Sequence, residues 1–94
     1  MEFNFEFDPE KSEANKVKHG IDFVEAQALW VDGNVLIFPT GFEYERRWYA
    51  VALYRDRCWT AIFTWREETI RLISVRRSRK NENELYQENH SGRI

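Results

Sequence analysis

Residues 46–76 read RRWYAVALYRDRCWTAIFTWREETIRLISVR, and the fold is decided there. Arg46–Tyr54 alternates as a strand does. Trp48, Ala50, Ala52 and Tyr54 fall on one side and Tyr49, Val51 and Leu53 on the other. Arg55-Asp56-Arg57 is a hairpin turn. Cys58–Trp65 is apolar on both faces, the pattern of a central strand. Arg66-Glu67-Glu68 turns the chain into a last strand over 69–76, where Ile70, Leu72, Ile73 and Val75 are strand formers. Three strands joined by short turns make an antiparallel meander.

Before the meander, Phe3, Phe5 and Phe7 alternate with polar residues, a half-buried first strand. Asp8 caps a helix with Pro9 at its first position; it runs to His19 and stops at Gly20. Asp22 opens a second short helix, with Glu25 at capping-box spacing and Phe23, Ala26, Leu29 and Trp30 facing the core. Asp32-Gly33-Asn34 is a turn. Val35–Phe38 is a short strand ended by Pro39, and residues 40–45 are a polar loop. After the meander, Asn81 caps a final helix over 82–89, with Glu84 three residues on and Leu85 and Tyr86 as its apolar anchors. Residues 89–94 read as a frayed tail. The order is strand, helix, helix, four-strand run, helix. Residues 1–94 form one α+β domain with helices on one face of an antiparallel sheet.

The net charge of −2 conceals an asymmetry. Residues 1–45 carry ten acids and three Lys, whereas residues 46–94 carry eleven Arg or Lys and six acids. Polyanion binding needs local cations, not a basic total. Cys58 is the single cysteine, which excludes an internal disulfide and a Cys-based zinc cluster; its apolar strand suggests an inert thiol. No apolar run approaches the length of a membrane span and the N-terminus is no signal peptide, so the cytoplasm is the expected compartment.

Two constellations carry chemistry. Arg71, Arg76, Arg77, Arg79 and Lys80 put five cations in ten residues with no acid among them. They could grip a phosphate chain, or simply solvate a strand edge. Lys11, Asn15, Lys18 and His19 fall on one helical face, although caps and helix-dipole chemistry also explain Lys18 and His19. His19 and His90 are isolated and lack metal-ligand spacing. There is no Gly-rich phosphate loop and no Gly-x-Ser-x-Gly elbow. The remaining kit is a set of cations and one titratable His, which is all that metal-free RNA cleavage needs: a base for the 2′-OH, cations for the phosphorane and an acid for the leaving oxygen.

Phe5–Lys11, Asn15, Lys18-His19-Gly20-Ile21-Asp22-Phe23, Ala26 and Asp32 resemble the opening of the BrnT family of bacterial type II toxins. Arg66, the run Arg71-Leu72-Ile73-Ser74-Val75-Arg76-Arg77, Glu82 and Tyr86 continue the likeness, which spans residues 5–86. Phe7 stands where the family usually has Trp and Val75 where it has Ala. Residues 43–49 follow the family's Glu-x-Arg pattern only loosely. The resemblance implies a compact RelE-like ribonuclease fold and RNA cleavage without a metal or other cofactor. It also implies a BrnA-like ribbon-helix-helix antitoxin, through which the complex reaches operator DNA.

The resemblance further implies site roles. His19 would be acid or base, Arg76 the phosphate stabiliser, and Lys11 and Lys18 would position RNA. Arg66, Arg71 and Arg77 would be further RNA contacts; Arg79 and Lys80, which the resemblance does not include, read as general phosphate contacts or plain surface. Strict alternation puts Arg71 and Arg77 on one face of the last strand and Ile70, Ser74 and Arg76 on the other, so Arg71 becomes a candidate for pairing with Glu82 or another acid. Trp48, Tyr49, Trp59 and Trp65 exceed what one small sheet covers easily, and some would form a patch for an antitoxin segment. Two other functions stay open. A non-catalytic binding module would bind nucleic acid in a salt-sensitive way without cleaving it. A DNA nickase would cut strands that lack the 2′-OH.

Overall fold

The computed structural model describes residues 3–41 and 46–91, so part of the expected 40–45 loop lies outside the described residues. Its elements are β1 (Asn4–Glu6), α1 (Pro9–His19), a 3₁₀ helix (Glu25–Val31), β2 (Leu36–Pro39), β3 (Trp48–Tyr54), β4 (Arg57–Arg66), β5 (Thr69–Arg77) and α2 (Lys80–Ser91). The strands form one sheet in the order β1-β5-β4-β3-β2. β4 is central, and β2 through β5 run antiparallel in sequence order. The class is α+β.

Two expectations about the architecture are corrected. β1 joins the far edge parallel to β5, with Phe5 opposite Ile70, so the sheet is mixed. The helices also lie on both faces. α1 and the 3₁₀ helix cover the face carrying Ala50, Ala61 and Phe63. α2 covers the other, because Glu82 is bonded by Thr60, whose side chain alternates away from Ala61. The sequence of α2 is thin in apolar residues, which hid the fact that it docks through polar ones.

Local chemistry places α1 as its sequence predicts. Asp8 accepts from Glu10 N at 2.9 Å, Pro9 opens the helix, and Gly20 closes it at φ 84°. Asn15, expected on a polar face, is buried. It donates to Ile21 O and Val75 O at 2.8 Å each and accepts from Val75 N at 3.2 Å, so it ties α1 to β5 as a strand neighbour would. The Asp22–Glu25 box forms reciprocally. It opens a 3₁₀ helix that delivers Trp30 edge-on to Phe5 and Phe63, at 5.2 and 5.3 Å between ring centroids. Fully buried Ala50, Ala52 and Ala61 leave the depth on the sheet that these rings need.

α2 begins at Lys80, earlier than the Asn81 cap predicts. Glu82 supplies the capping bond, accepting from Arg79 N at 2.8 Å, in place of Glu84. The helix runs on to Ser91, past the expected fraying point. Of its expected anchors Tyr86 is buried and Leu85 is exposed. Of the expected aromatic patch Trp59 is buried, Trp48 and Tyr49 are half-buried and Trp65 is 42% exposed. No helix among the described residues is long and apolar enough to cross a membrane.

Candidate functional site

A cavity of about 290 Å³ opens where α1 ends and β3 turns into β4. That is at the foot of the usual range for ligand clefts, ~300–1,000 Å³. Three local devices build it. The left-handed Gly20 stops α1 so that half-buried His19 lies at the cavity wall, with Lys16 one turn earlier. The capping box then presents Glu25, which Lys16 Nζ meets at 2.6 Å. Lys16 is half exposed, so the pair contributes little stability. It does lower the basicity of the carboxylate: the Lys16 hydrogen bond, helped by Asp22 N, holds the Glu25 carboxyl below the usual carboxylate range.

The third device is the hairpin. Arg55 and Asp56 form its two-residue loop with φ of 51° and 62°. Such loops favour Asn-Gly, because left-handed backbone costs about 1–2 kcal/mol for a residue with a Cβ, though Asp tolerates it better. Here both loop residues are charged, and Arg55 and Arg57 line the cavity. Arg55 lies 5.2 Å from the Tyr54 ring centre. Trp59 donates its indole N–H to Tyr54 O at 3.2 Å and carries Arg77 5.6 Å above its ring. The cavity thus has an imidazole, a carboxylate, a phenol and several cations on walls of aromatic carbon.

The cations of the last strand divide differently from strict alternation. The register steps from Ile62–Ser74 to Phe63–Leu72, so Ile73 is an extra residue in β5. Beyond that bulge the sides exchange. Arg71, Ser74 and Arg76 stand opposite Thr64, Ile62 and Thr60 on the α2 face, and Arg77 turns to the α1 face beside Trp59. The expected grouping of Arg71 with Arg77 is therefore corrected by a one-residue bulge. Arg71 lies 3.8 Å and Arg66 3.7 Å from Glu6 Oε1. Arg76 forms a fork with Glu82, at 2.7 Å to Oε1 and 2.8 Å to Oε2. Burial opposes ionisation of Glu82. It is outweighed by bonds from Arg76, Arg79 N and Thr60, which bring the carboxyl down to about 2.

The candidate residues thus form two groups. His19 lines the cavity, exposed Lys18 adjoins it in sequence, and Arg77 stands over the cavity's Trp59. Arg66, Arg71 and Arg76 lie across the sheet, held by carboxylates. Lys11 is exposed two turns up α1, and Arg79 and Lys80 are exposed at the start of α2. Cys58 is half-buried with Ser78 Oγ at 3.3 Å, and burial pushes its thiol pKa up, away from nucleophilic use. Among the described residues no three His, Cys, Asp or Glu side chains gather as metal ligands.

Residues 7–82 match the family described as ribonuclease toxin, BrnT, of type II toxin–antitoxin system. The chain belongs to the BrnT family. No curated protein matches it. The BrnT match takes in α1, both sides of the cavity, β5 and the Arg76–Glu82 fork. The sequence assigns His19 to a catalytic role but not Arg55, Arg57, Tyr54 or Glu25, and it offers Trp59 only as part of an aromatic patch for a partner. Arg-Asp-Arg reads as a bare turn and Glu25 as a cap. The available signal was two charged residues where a two-residue hairpin wants Asn-Gly.

Proposed function

We propose that this chain is the toxin of a type II toxin–antitoxin system, a metal-independent endoribonuclease that cuts RNA and so stops translation and growth. The observation that carries the reading is the cavity, which places His19 within one small space with Arg55 and Arg57. His19 acts as acid or base in the reaction in which the 2′-OH attacks the neighbouring phosphate and the 5′-oxygen leaves. Arg57 and Arg55 stabilise the charge that grows on the phosphorane. Arg77 and Lys18 meet the flanking backbone, and Lys11, Arg79 and Lys80 add weaker, salt-screened contacts. Arg76 is the phosphate stabiliser of the sequence reading; its fork to Glu82 supports a structural role instead, shared by Arg71 and Arg66 around Glu6.

On this reading the domain is RelE-like and acts in the cytoplasm. A BrnA-like ribbon-helix-helix antitoxin holds it in check and brings the complex to operator DNA. The test is cleavage of single-stranded RNA by purified protein in EDTA. Fragments ending in 2′,3′-cyclic phosphate are expected, with cleavage reduced about 10²–10⁴-fold in His19→Ala, the usual range for a lost acid or base. Undiminished cleavage by His19→Ala, or cutting of a strand without 2′-OH groups, would defeat the mechanism.

A further inference from the structure

We infer that Glu25 is the general base of the cavity, working opposite His19 as general acid. This rests on reading the cavity as the ribonuclease centre. The capping box accounts for only half of the Glu25 carboxylate. Both of its hydrogen bonds fall on Oε1, from Lys16 Nζ at 2.6 Å and Asp22 N at 3.1 Å. Oε2 has no hydrogen-bond partner among the described residues, and the side chain keeps 23% of its surface exposed. Two donors therefore orient the carboxylate through one oxygen while the other stays available, which is how a base is best held.

The surroundings suit the task. Sharing the cavity with Glu25 are Lys16 and His19 from α1 and Tyr54, Arg55 and Arg57 from the hairpin, and Asp22 bonds it from its own turn. The Lys16 ammonium holds the carboxyl below its usual range while the two are paired, and as it turns to an arriving phosphate the basicity of Glu25 rises. In the reaction, Glu25 Oε2 takes the proton from the 2′-OH and the 2′-oxygen bonds to phosphorus. Charge builds on the non-bridging oxygens beside Arg57, Arg55 and Lys16. The bond from phosphorus to the 5′-oxygen breaks, and the imidazolium of His19 gives its proton to that oxygen. The products are a 2′,3′-cyclic phosphate and a 5′-hydroxyl, with no other reactant consumed. Carboxylate and imidazole thereby take the two separate proton-transfer roles.

A leaving-group test separates these roles. Wild type, Glu25→Gln and His19→Ala are compared on an RNA oligonucleotide, and on the same strand with sulfur replacing the bridging 5′-oxygen at the mapped cleavage site. Gln serves in a capping box, so Glu25→Gln keeps the turn. Each variant is expected to cut the oxygen substrate about 10²–10⁴-fold more slowly than wild type. A thiolate leaves without a proton, so sulfur restores His19→Ala towards wild type and leaves Glu25→Gln slow. Formate added to Glu25→Ala restores cleavage, because a diffusible carboxylate replaces the base. Wild-type-like cleavage by Glu25→Gln, its rescue by sulfur, or no response of Glu25→Ala to formate overturns the assignment while leaving the ribonuclease reading intact. A wild type that cuts no RNA overturns both.

Discussion

On the side of the sheet that carries α1 and the 3₁₀ helix, Phe23, Leu29, Ala61, Phe63, Ile70 and Val75 are buried to 1% exposure or less. On the side that carries α2, the buried groups include Thr60, Thr64, Glu82 and Tyr86, and α2 is fixed by directed bonds to Arg76, Thr60 and Asp32. The first face gains stability from apolar area, which tolerates small shifts of position. The second gains from geometry, and each of its contacts is satisfied in one arrangement only. The apolar face also carries the candidate cavity at its end, where the core gives way to Tyr54, Trp59 and the hairpin cations. The two faces divide the labour: one holds the domain together, and the other orients a helix.

Neighbouring residues on β4 give the sharpest way to break that contrast. Phe63, fully buried, touches Trp30 and Trp65; Ile62, next in the chain, is half-buried on the other face. Phe63→Ala should cost about 3–5 kcal/mol in urea unfolding, against ~1 kcal/mol for Ile62→Ala. Equal losses would refute the assignment of the core to one face. Smaller, but on the polar face, is Glu82→Gln. It leaves the Arg76 guanidinium, 15% exposed, without its countercharge, at a cost of about 3 kcal/mol. The folded carboxyl, at about 2, lies below its unfolded value of 4.5. Its contribution is therefore complete above the unfolded value and is lost as pH falls from there through 2. The stability gap between wild type and Glu82→Gln should close over that window; a gap that stays constant would mean that charge pairing is not what holds the helix.

Much of the apolar face was legible because it obeys local rules. Asp8, Pro9 and Gly20 mark α1 to the residue; β3 follows from period-two patterning, and β4 and β5 from apolar strand-forming runs bounded by turns. Links between segments distant in sequence, the docking of the polar face among them, were less so. The parallel seat of β1, the docking of Glu82 on Thr60 and the clamp of Asn15 on Val75, 60 residues away, have no local signature. The bulge at Ile73 is invisible for the same reason: Leu-Ile-Ser-Val reads as uninterrupted strand, yet one extra residue moves Arg71 to the side of Arg76. His19 was readable as a titratable group at a helix end. Arg55, Arg57 and Glu25 were not, because turn and cap explanations were locally sufficient for them.

The finest probe of the contrast removes one oxygen. Tyr86 donates to Asp32 Oδ2 at 2.6 Å, and burial together with that bond pushes the phenol pKa up. In Tyr86→Phe the ring still fills its place, and Asp32 keeps Leu53 N on Oδ2 and Asn34 N on Oδ1, so no carboxylate oxygen is stranded. The global cost should therefore be modest, about 1 kcal/mol. Its distribution carries the information. If α2 is held by directed bonds, losing one of them opens the helix locally, and amide exchange should quicken along 80–91 while β4 stays as protected as before. If α2 were part of the apolar core, exchange would rise in both by the same factor, and the division between the faces would fail.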